Sequence, residues 1–143
     1  MKSLEQLLAL KPHRLISVEA GETVLHALHL LATFDIGALL VMEGNRPVGI
    51  FSERDYARKV VLLGRASATT QVREVMSDRL LTVPLTETVE ACMEIMTEQH
   101  VRHLPVMAAD GSVAGFLSIG DLVKEVISEQ KFVIGQLEDY ITH

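Results

Sequence analysis

Two phrases in this chain put a glycine, a hydroxyl and a carboxylate at the same spacing: GIFSERD at residues 49–55 and GFLSIGD at residues 115–121. Each reads Gly, two apolar residues, Ser, two variable residues, Asp. Ser followed three residues later by an acidic residue is first of all a helix start, a capping box or a close relative of one. The preceding glycine adds a second reading, because Gly at a strand end lets a ligand or another backbone approach closely. A carboxylate there accepts hydrogen bonds from two neighbouring hydroxyls, as on a ribose. The free N–H groups of a helix start favour an anion such as phosphate. A nucleoside phosphate suits both features.

Other residues with reactive side chains carry less. Ser118, His103 and Asp121 supply the types of a hydrolytic triad, yet cap and clamp explain Ser118 and Asp121 better, and the first copy has no matching histidine. No catalytic residue and no enzyme activity is expected. His26/His29 and His100/His103 are spaced i, i+3, but no cysteine or carboxylate cluster completes a tetrahedral set, so no metal site is expected. Cys92 falls on the apolar face of a predicted helix and reads as an inert core thiol. Met42, Met93, Met96 and Met107 read as core.

The elements that must position these groups come in two copies. Residues 17–42 align with 82–107 at an offset of 65, matching Val18 to Val83, Glu22-Thr23-Val24 to Glu87-Thr88-Val89, and Val41-Met42 to Val106-Met107. One extra residue then enters near Ala109-Asp110-Gly111, and Gly49, Ser52, Asp55 and Val60 meet Gly115, Ser118, Asp121 and Val126 at an offset of 66. Each copy predicts a β-α-β-β-α order. The first strands are Leu15–Val18 and Leu80–Val83, followed by helices Thr23–Thr33 and Thr88–Gln99. Thr86 is the expected N-cap of the second helix, with Glu87 and Glu90 in its first turn. The hairpins pair Ala38–Met42 with Val48–Phe51 and Leu104–Met107 with Val113–Leu117, across turns rich in Gly, Asn and Asp. Helices Glu53–Leu63 and Ile119–Glu129 close the copies. A unit under 50 residues buries little surface alone, so two copies are expected to pack about a pseudo-twofold into one α/β (α+β) module spanning 1–143. Its parts are repeats 15–63 and 80–127, a linker at 64–79 and a C-terminal helix at 128–143.

The bulk composition sets limits. With 143 residues, 48% hydrophobic and 22% charged, the chain suits one folded domain and not a disordered one. The net charge of −6 argues against a nucleic-acid partner. Aromatic residues at 4% and the absence of Trp argue against a base-stacking platform. No apolar run approaches the ~20 residues of a membrane span, and MKSLEQLLALKPHR lacks a signal-peptide pattern. The single cysteine fits a reducing cytoplasm.

In order, spacing and duplication, the motifs LISV and LLTVP, ALLVM and RHLPVM, GIFSERD and GFLSIGD resemble a tandem pair of CBS domains, named after cystathionine β-synthase. The resemblance covers about residues 15–127 and implies two clefts for adenosine compounds: AMP, ADP, ATP, NAD or S-adenosylmethionine, with AMP or NAD foremost. No catalytic cofactor is implied. Carried onto the second copy, it implies that Asp121 takes the ribose hydroxyls, with Ser118 beside the ribose or first phosphate. Backbone at Thr82, Val83 and Pro84 meets the adenine edge, Leu104 and Pro105 form the wall, and Arg102 and His103 meet phosphate. In the first copy Ile16, Ser17 and Val18 are the adenine edge, and Ser52 and Asp55 keep the ribose pattern. Gly37-Ala38 replaces Arg102-His103, with Arg54 and Arg58 as the compensating cations. The second cleft is therefore the expected stronger nucleotide site.

The implied role is a stand-alone cytoplasmic sensor that binds a nucleotide, shifts its conformation or its homodimer, and signals to a separate effector protein. The competing role is a ligand-independent interaction or dimerisation module. The C-terminal SEQKFVIGQLEDYITH supports some partner role, since Val133, Leu137, Tyr140 and Ile141 share one helical stripe beyond the repeat. Leu4, Leu7 and Leu8 offer a similar stripe at the N-terminus.

Overall fold

The computed structural model describes residues 2–10 and 15–142. Met1, residues 11–14 of the N-terminal stretch read above, and His143 of the C-terminal segment lie outside the described residues. In chain order the elements are α1 (Leu4–Leu10), β1 (Ser17–Glu19), α2 (Val24–Phe34), β2 (Ala38–Glu43), β3 (Arg46–Ser52) and α3 (Glu53–Asp55), which runs on as a π-helical stretch, Tyr56–Val61. A 3₁₀ turn at Val72–Glu74 follows, then β4 (Val83–Pro84), α4 (Val89–Gln99), β5 (His103–Met107), β6 (Val113–Ser118) and α5 (Ile119–Thr142). The chain divides into two compact units: Arg14–Leu81, and Thr82–His143 together with Met1–His13.

Each unit holds a three-stranded sheet, ordered β1-β2-β3 in one and β4-β5-β6 in the other. The first pair of strands is parallel and the second antiparallel in both. This is the mixed α/β fold with two β-α-β-β-α repeats that the sequence predicts. Ala38, Leu39, Leu40 and Val41 of β2 are all buried, the unbroken apolar run of a strand covered on both faces. In the first unit Phe51, Leu39, Val41, Val24, Ala27 and Val60 belong to one core cluster.

The helix ends follow local chemistry. Thr23 caps α2 by accepting from His26 N–H at 3.1 Å, and Thr88 caps α4 by accepting from Ala91 N–H at 3.2 Å. Both helices end on a residue in the left-handed region, Asp35 at φ 51° and His100 at φ 56°. The hairpin turns put their positive φ on Gly44 and Gly111. At the second, the Asp110 carboxylate accepts from Ser112 N–H at 2.9 Å.

Several boundaries differ from the sequence reading. The N-cap of α4 is Thr88, not Thr86: Thr88 stands three residues before the N–H that it satisfies, while Thr86 lies in the turn closed by Glu87 N–H to Pro84 O. The first strands begin later, at Ser17 and Val83, because pairing starts where β2 and β5 come alongside. The last helix does not stop at Glu129. No proline follows Ile119, so nothing breaks the ladder before Thr142.

The two stretches outside the repeats are a further matched pair. Leu4 and Leu7 of α1 are buried in the unit of the second repeat, and Val72 and Val75 of the linker in the unit of the first. Leu4 N–H donates to Glu87 O at 2.8 Å and Glu5 N–H to Leu85 O at 3.0 Å. Val72 N–H donates to Glu22 O at 2.9 Å and Arg73 N–H to Ala20 O at 3.0 Å. Glu22 and Ala20 are the first-copy counterparts of Glu87 and Leu85. Each unit is thus closed by a short helical latch from the stretch that precedes the other repeat. Lys2 Nζ lies 2.8 Å from the buried carboxylate of Glu125, an ion pair without hydrogen-bond alignment.

Candidate functional site

The two Ser-x-x-Asp corners are built alike. In the second, Ser118 N–H donates to Asp121 Oδ2 at 2.8 Å, Ser118 O–H donates to the same oxygen at 3.0 Å, and Asp121 N–H donates to Ser118 Oγ at 3.2 Å. In the first, the corresponding bonds between Ser52 and Asp55 measure 2.9, 3.0 and 3.2 Å. Both phrases are therefore capping boxes, and one carboxylate oxygen in each is committed to the cap. The serine proton goes to the carboxylate and not to an imidazole, so Ser118 and His103 form no nucleophile–base pair here.

The other carboxylate oxygen separates the copies. Asp55 Oδ1 is held by Lys59 Nζ at 3.1 Å, one helical turn on. Asp121 Oδ1 takes no hydrogen bond from any described residue. Arg54 and Arg58 are exposed.

His103 opens β5 directly opposite Ser118 at the end of β6. Its ring stacks on Phe116 with centroids 5.3 Å apart and planes at 19°. Burial lowers its pKa below the usual imidazole value; the negative charge of Asp121 opposes this shift, and Arg102 adds to it. The backbone binds Arg102 to the corner through Ile119 N–H to Arg102 O at 2.9 Å. In the first unit Ala38 stands opposite Ser52, and Glu53 N–H donates to Gly37 O at 3.0 Å. A Cβ at Gly37 would lie 3.2 Å from Glu53 Oε1.

The structure thus gathers Arg102, His103, Ser118 and Asp121 at one end of the second sheet, and Gly37, Ala38, Ser52, Arg54 and Asp55 at the matching end of the first. Leu104 and Pro105 continue along β5 and are buried. Val83 pairs with Val106, three residues or about 10 Å along β5 from His103. In the first unit Val18 pairs with Val41, three residues from Ala38, and Ser17 with Leu40, two residues from it; Ile16 immediately precedes β1. Thr82, Val83 and Pro84 line a cavity of about 540 Å³ with Glu5, Thr86 and Met107–Ala109. Phe116 is absent from the sequence-based site; its signal was the hairpin register, which fixes the residue two before Ser118. Lys59, next in sequence to Arg58, neutralises Asp55.

The glycines of the repeated phrase have an observed use. A Cβ on Gly49 would meet Met76 Sδ at 2.6 Å and the Ser77 carbonyl oxygen at 2.7 Å; one on Gly115 would meet the Leu8 side chain at 3.1 Å. Among the described residues, close approach at both positions is made by the latches.

Elsewhere the candidates separate. His100 ends α4, and His26 and His29 are exposed on α2. No group of three or more His, Cys, Asp or Glu among the described residues is arranged to hold a metal. Cys92 is fully buried, and its thiol is pushed up to about 11 by burial and by the charge of Glu87. No described helix is long and apolar enough to cross a membrane.

Paired sheets, duplicated corners and latches define a tandem-repeat module. The profile of the CBS domain matches residues 11–62 and 72–128, and the chain belongs to the CBS-domain family. It is 36% identical over 125 residues to the mitochondrial CBS domain-containing protein CBSX3 of Arabidopsis thaliana, covering 84% of this chain and 60% of that protein. A putative signal-transduction protein with CBS domains from Burkholderia ambifaria has a similar structure, with a TM-score of 0.84 and 43% identity, covering 90% of this chain and 96% of that one. The CBS domain NE2398 matches with a TM-score of 0.82 and 45% identity, covering 88% and 98%. CBS-domain proteins of this kind are generally regulatory modules, commonly ligand-binding sensors.

Proposed function

We propose that this chain is an adenosine-nucleotide sensor whose principal binding corner is Ser118–Asp121, with AMP or NAD the foremost ligands and ADP, ATP and S-adenosylmethionine in the same class. The open Oδ1 of Asp121 carries the reading. Its Oδ2 is occupied by the cap, so the carboxylate is fixed in place while one anionic acceptor remains for ribose hydroxyls. His103 and Arg102 stand beside it for phosphate. Asp55 is already neutralised by Lys59, which makes the first corner the weaker one. The module works as a homodimer in the cytoplasm and passes its signal to a separate effector protein. Ligand shifts the equilibrium by binding one state better than another.

Thermal shift with the five ligands tests this. Ligand at 100 times its dissociation constant adds about 2.7 kcal/mol of stability. Asp121→Asn is the sharpest variant. Its one amide oxygen can serve the cap or the ribose but not both, and its NH₂ donates where an acceptor is needed. Losing a hydrogen bond to a charged group costs about 1.5–3 kcal/mol, so affinity should fall at least about tenfold. Asp55→Asn should change it less. If Asp121→Asn binds every ligand as wild type does, the ribose clamp is wrong. No shift with any ligand favours the ligand-independent interaction module, a reading supported by the exposed apolar face of α5.

A further inference from the structure

The helix α5 carries an apolar seam that its own unit leaves uncovered. Val123, Ile127, Gln130, Ile134, Leu137 and Ile141 recur at alternating intervals of four and three residues, the spacing that keeps one stripe of a helix facing a second helix. All six are exposed, Leu137 by 57% and Ile141 by 80%. A neighbouring row, Val126, Val133 and Tyr140, widens this face. On that side a groove of about 450 Å³ is lined by Glu90 of α4 together with Val126, Val133 and Ile134. Oε2 of Glu90 is shielded from solvent and has no hydrogen-bond partner.

We infer that α5 is the docking surface for a second copy of this chain, paired antiparallel about position 132, with the partner's Tyr140 brought to the groove at Glu90. The inference rests on the homodimer of the proposed function and names its contact surface; it does not depend on nucleotide.

Three observations favour this occupant and this direction. The seam is symmetric about position 132: Val123 matches Ile141, Ile127 matches Leu137 and Gln130 matches Ile134 at equal distances on either side. A twofold contact needs such self-complementarity. Charge agrees, because the row flanking the seam is Lys124, Lys131 and Glu138. Antiparallel pairing sets Lys124 against the partner's Glu138, twice by symmetry. Lys131 meets its own copy at the centre, where its long stem lets the ammonium group turn to solvent. On the other flank the same register sets Val126 against the partner's Tyr140, so a phenolic O–H reaches the groove that holds a buried acceptor without a donor. Parallel pairing offers neither the charge pairs nor this donor, since it sets Lys131 and Glu138 against the partner's Val126 and Val133.

Sedimentation and cysteine cross-linking of the full chain test this. Wild type should sediment as a dimer, and Ile134→Glu and Leu137→Glu at half that mass. Both sites are exposed, and circular dichroism should show the fold unchanged. Val133→Cys should cross-link to its own copy, because it lies beside the twofold, whereas Ile141→Cys should not. Tyr140→Phe should weaken the dimer about tenfold. If both glutamate variants remain dimers, the seam is not the contact, although the homodimer stands. If wild type is a monomer, the homodimer falls and this inference with it. Preferential cross-linking of Ile141→Cys overturns the antiparallel register.

Discussion

His103 trades basicity for position. Burial, the largest influence on its ring, favours the neutral form; Asp121 pulls the other way and Arg102 adds to the lowering. The folded pKa therefore lies below the unfolded value near 6.5. Just below pH 6.5 the unfolded chain binds the proton more readily, so stability is lost as pH falls from about 6.5 toward the folded pKa and is retained above it. Each unit between the two values is worth about 1.4 kcal/mol. Urea titrations at pH 7.5, 6.5 and 5.5 should show this loss in wild type and a reduced one in His103→Gln. An equal loss in both would place the titrating group elsewhere. At this scale the sequence was informative about residue type and incomplete about partners. The two corners read alike as Ser-x-x-Asp, and only the structure shows Lys59 closing Asp55 while Asp121 keeps an oxygen open.

The latches explain the glycines better than a ligand does, and the two positions differ in what they touch. At Gly49 the obstacle includes the Ser77 carbonyl oxygen, held by reciprocal 2.9 Å bonds between Ile50 and Ser77. At Gly115 it is the end of the Leu8 side chain, which can rotate away. Gly49→Ala should therefore cost about 1–3 kcal/mol, the range of overpacking in a rigid site, and Gly115→Ala distinctly less. Chemical denaturation of the two variants checks the order; equal costs would mean that the Ser77 backbone yields as easily as a side chain. The strands and hairpins were readable because apolar runs and turn residues repeat at a fixed offset. The α4 cap was misplaced because Thr86 and Thr88 both offer a hydroxyl; alignment of Thr88 with Thr23 held the answer. The latches were not readable as a pair. LEQLL and VREVM share a spacing of buried positions, at Leu4/Leu7 and Val72/Val75, but these runs are too short to show a period.

Over the whole molecule, the latches reverse the order in which the chain completes its units. Residues before the first repeat finish the second, and residues between the repeats finish the first. Sequence periodicity cannot show this, because it reports which face is apolar and not which neighbour covers it. One measurement separates the two assignments. Cys92 is fully buried in the unit that α1 closes, and its thiol sits near 11, so at pH 8 it reacts with a thiol reagent only through opening of that unit. Leu4 is fully buried in the same unit, and Val72 in the other. Truncating a buried leucine costs about 2–5 kcal/mol, so Leu4→Ala should speed Cys92 labelling by more than about tenfold where opening is fast and reversible. Val72→Ala removes core from the unit without the cysteine and should speed labelling much less. If Val72→Ala exposes Cys92 as strongly as Leu4→Ala, the units do not open separately. If Leu4→Ala leaves the rate unchanged, α1 does not close the unit of the second repeat in solution.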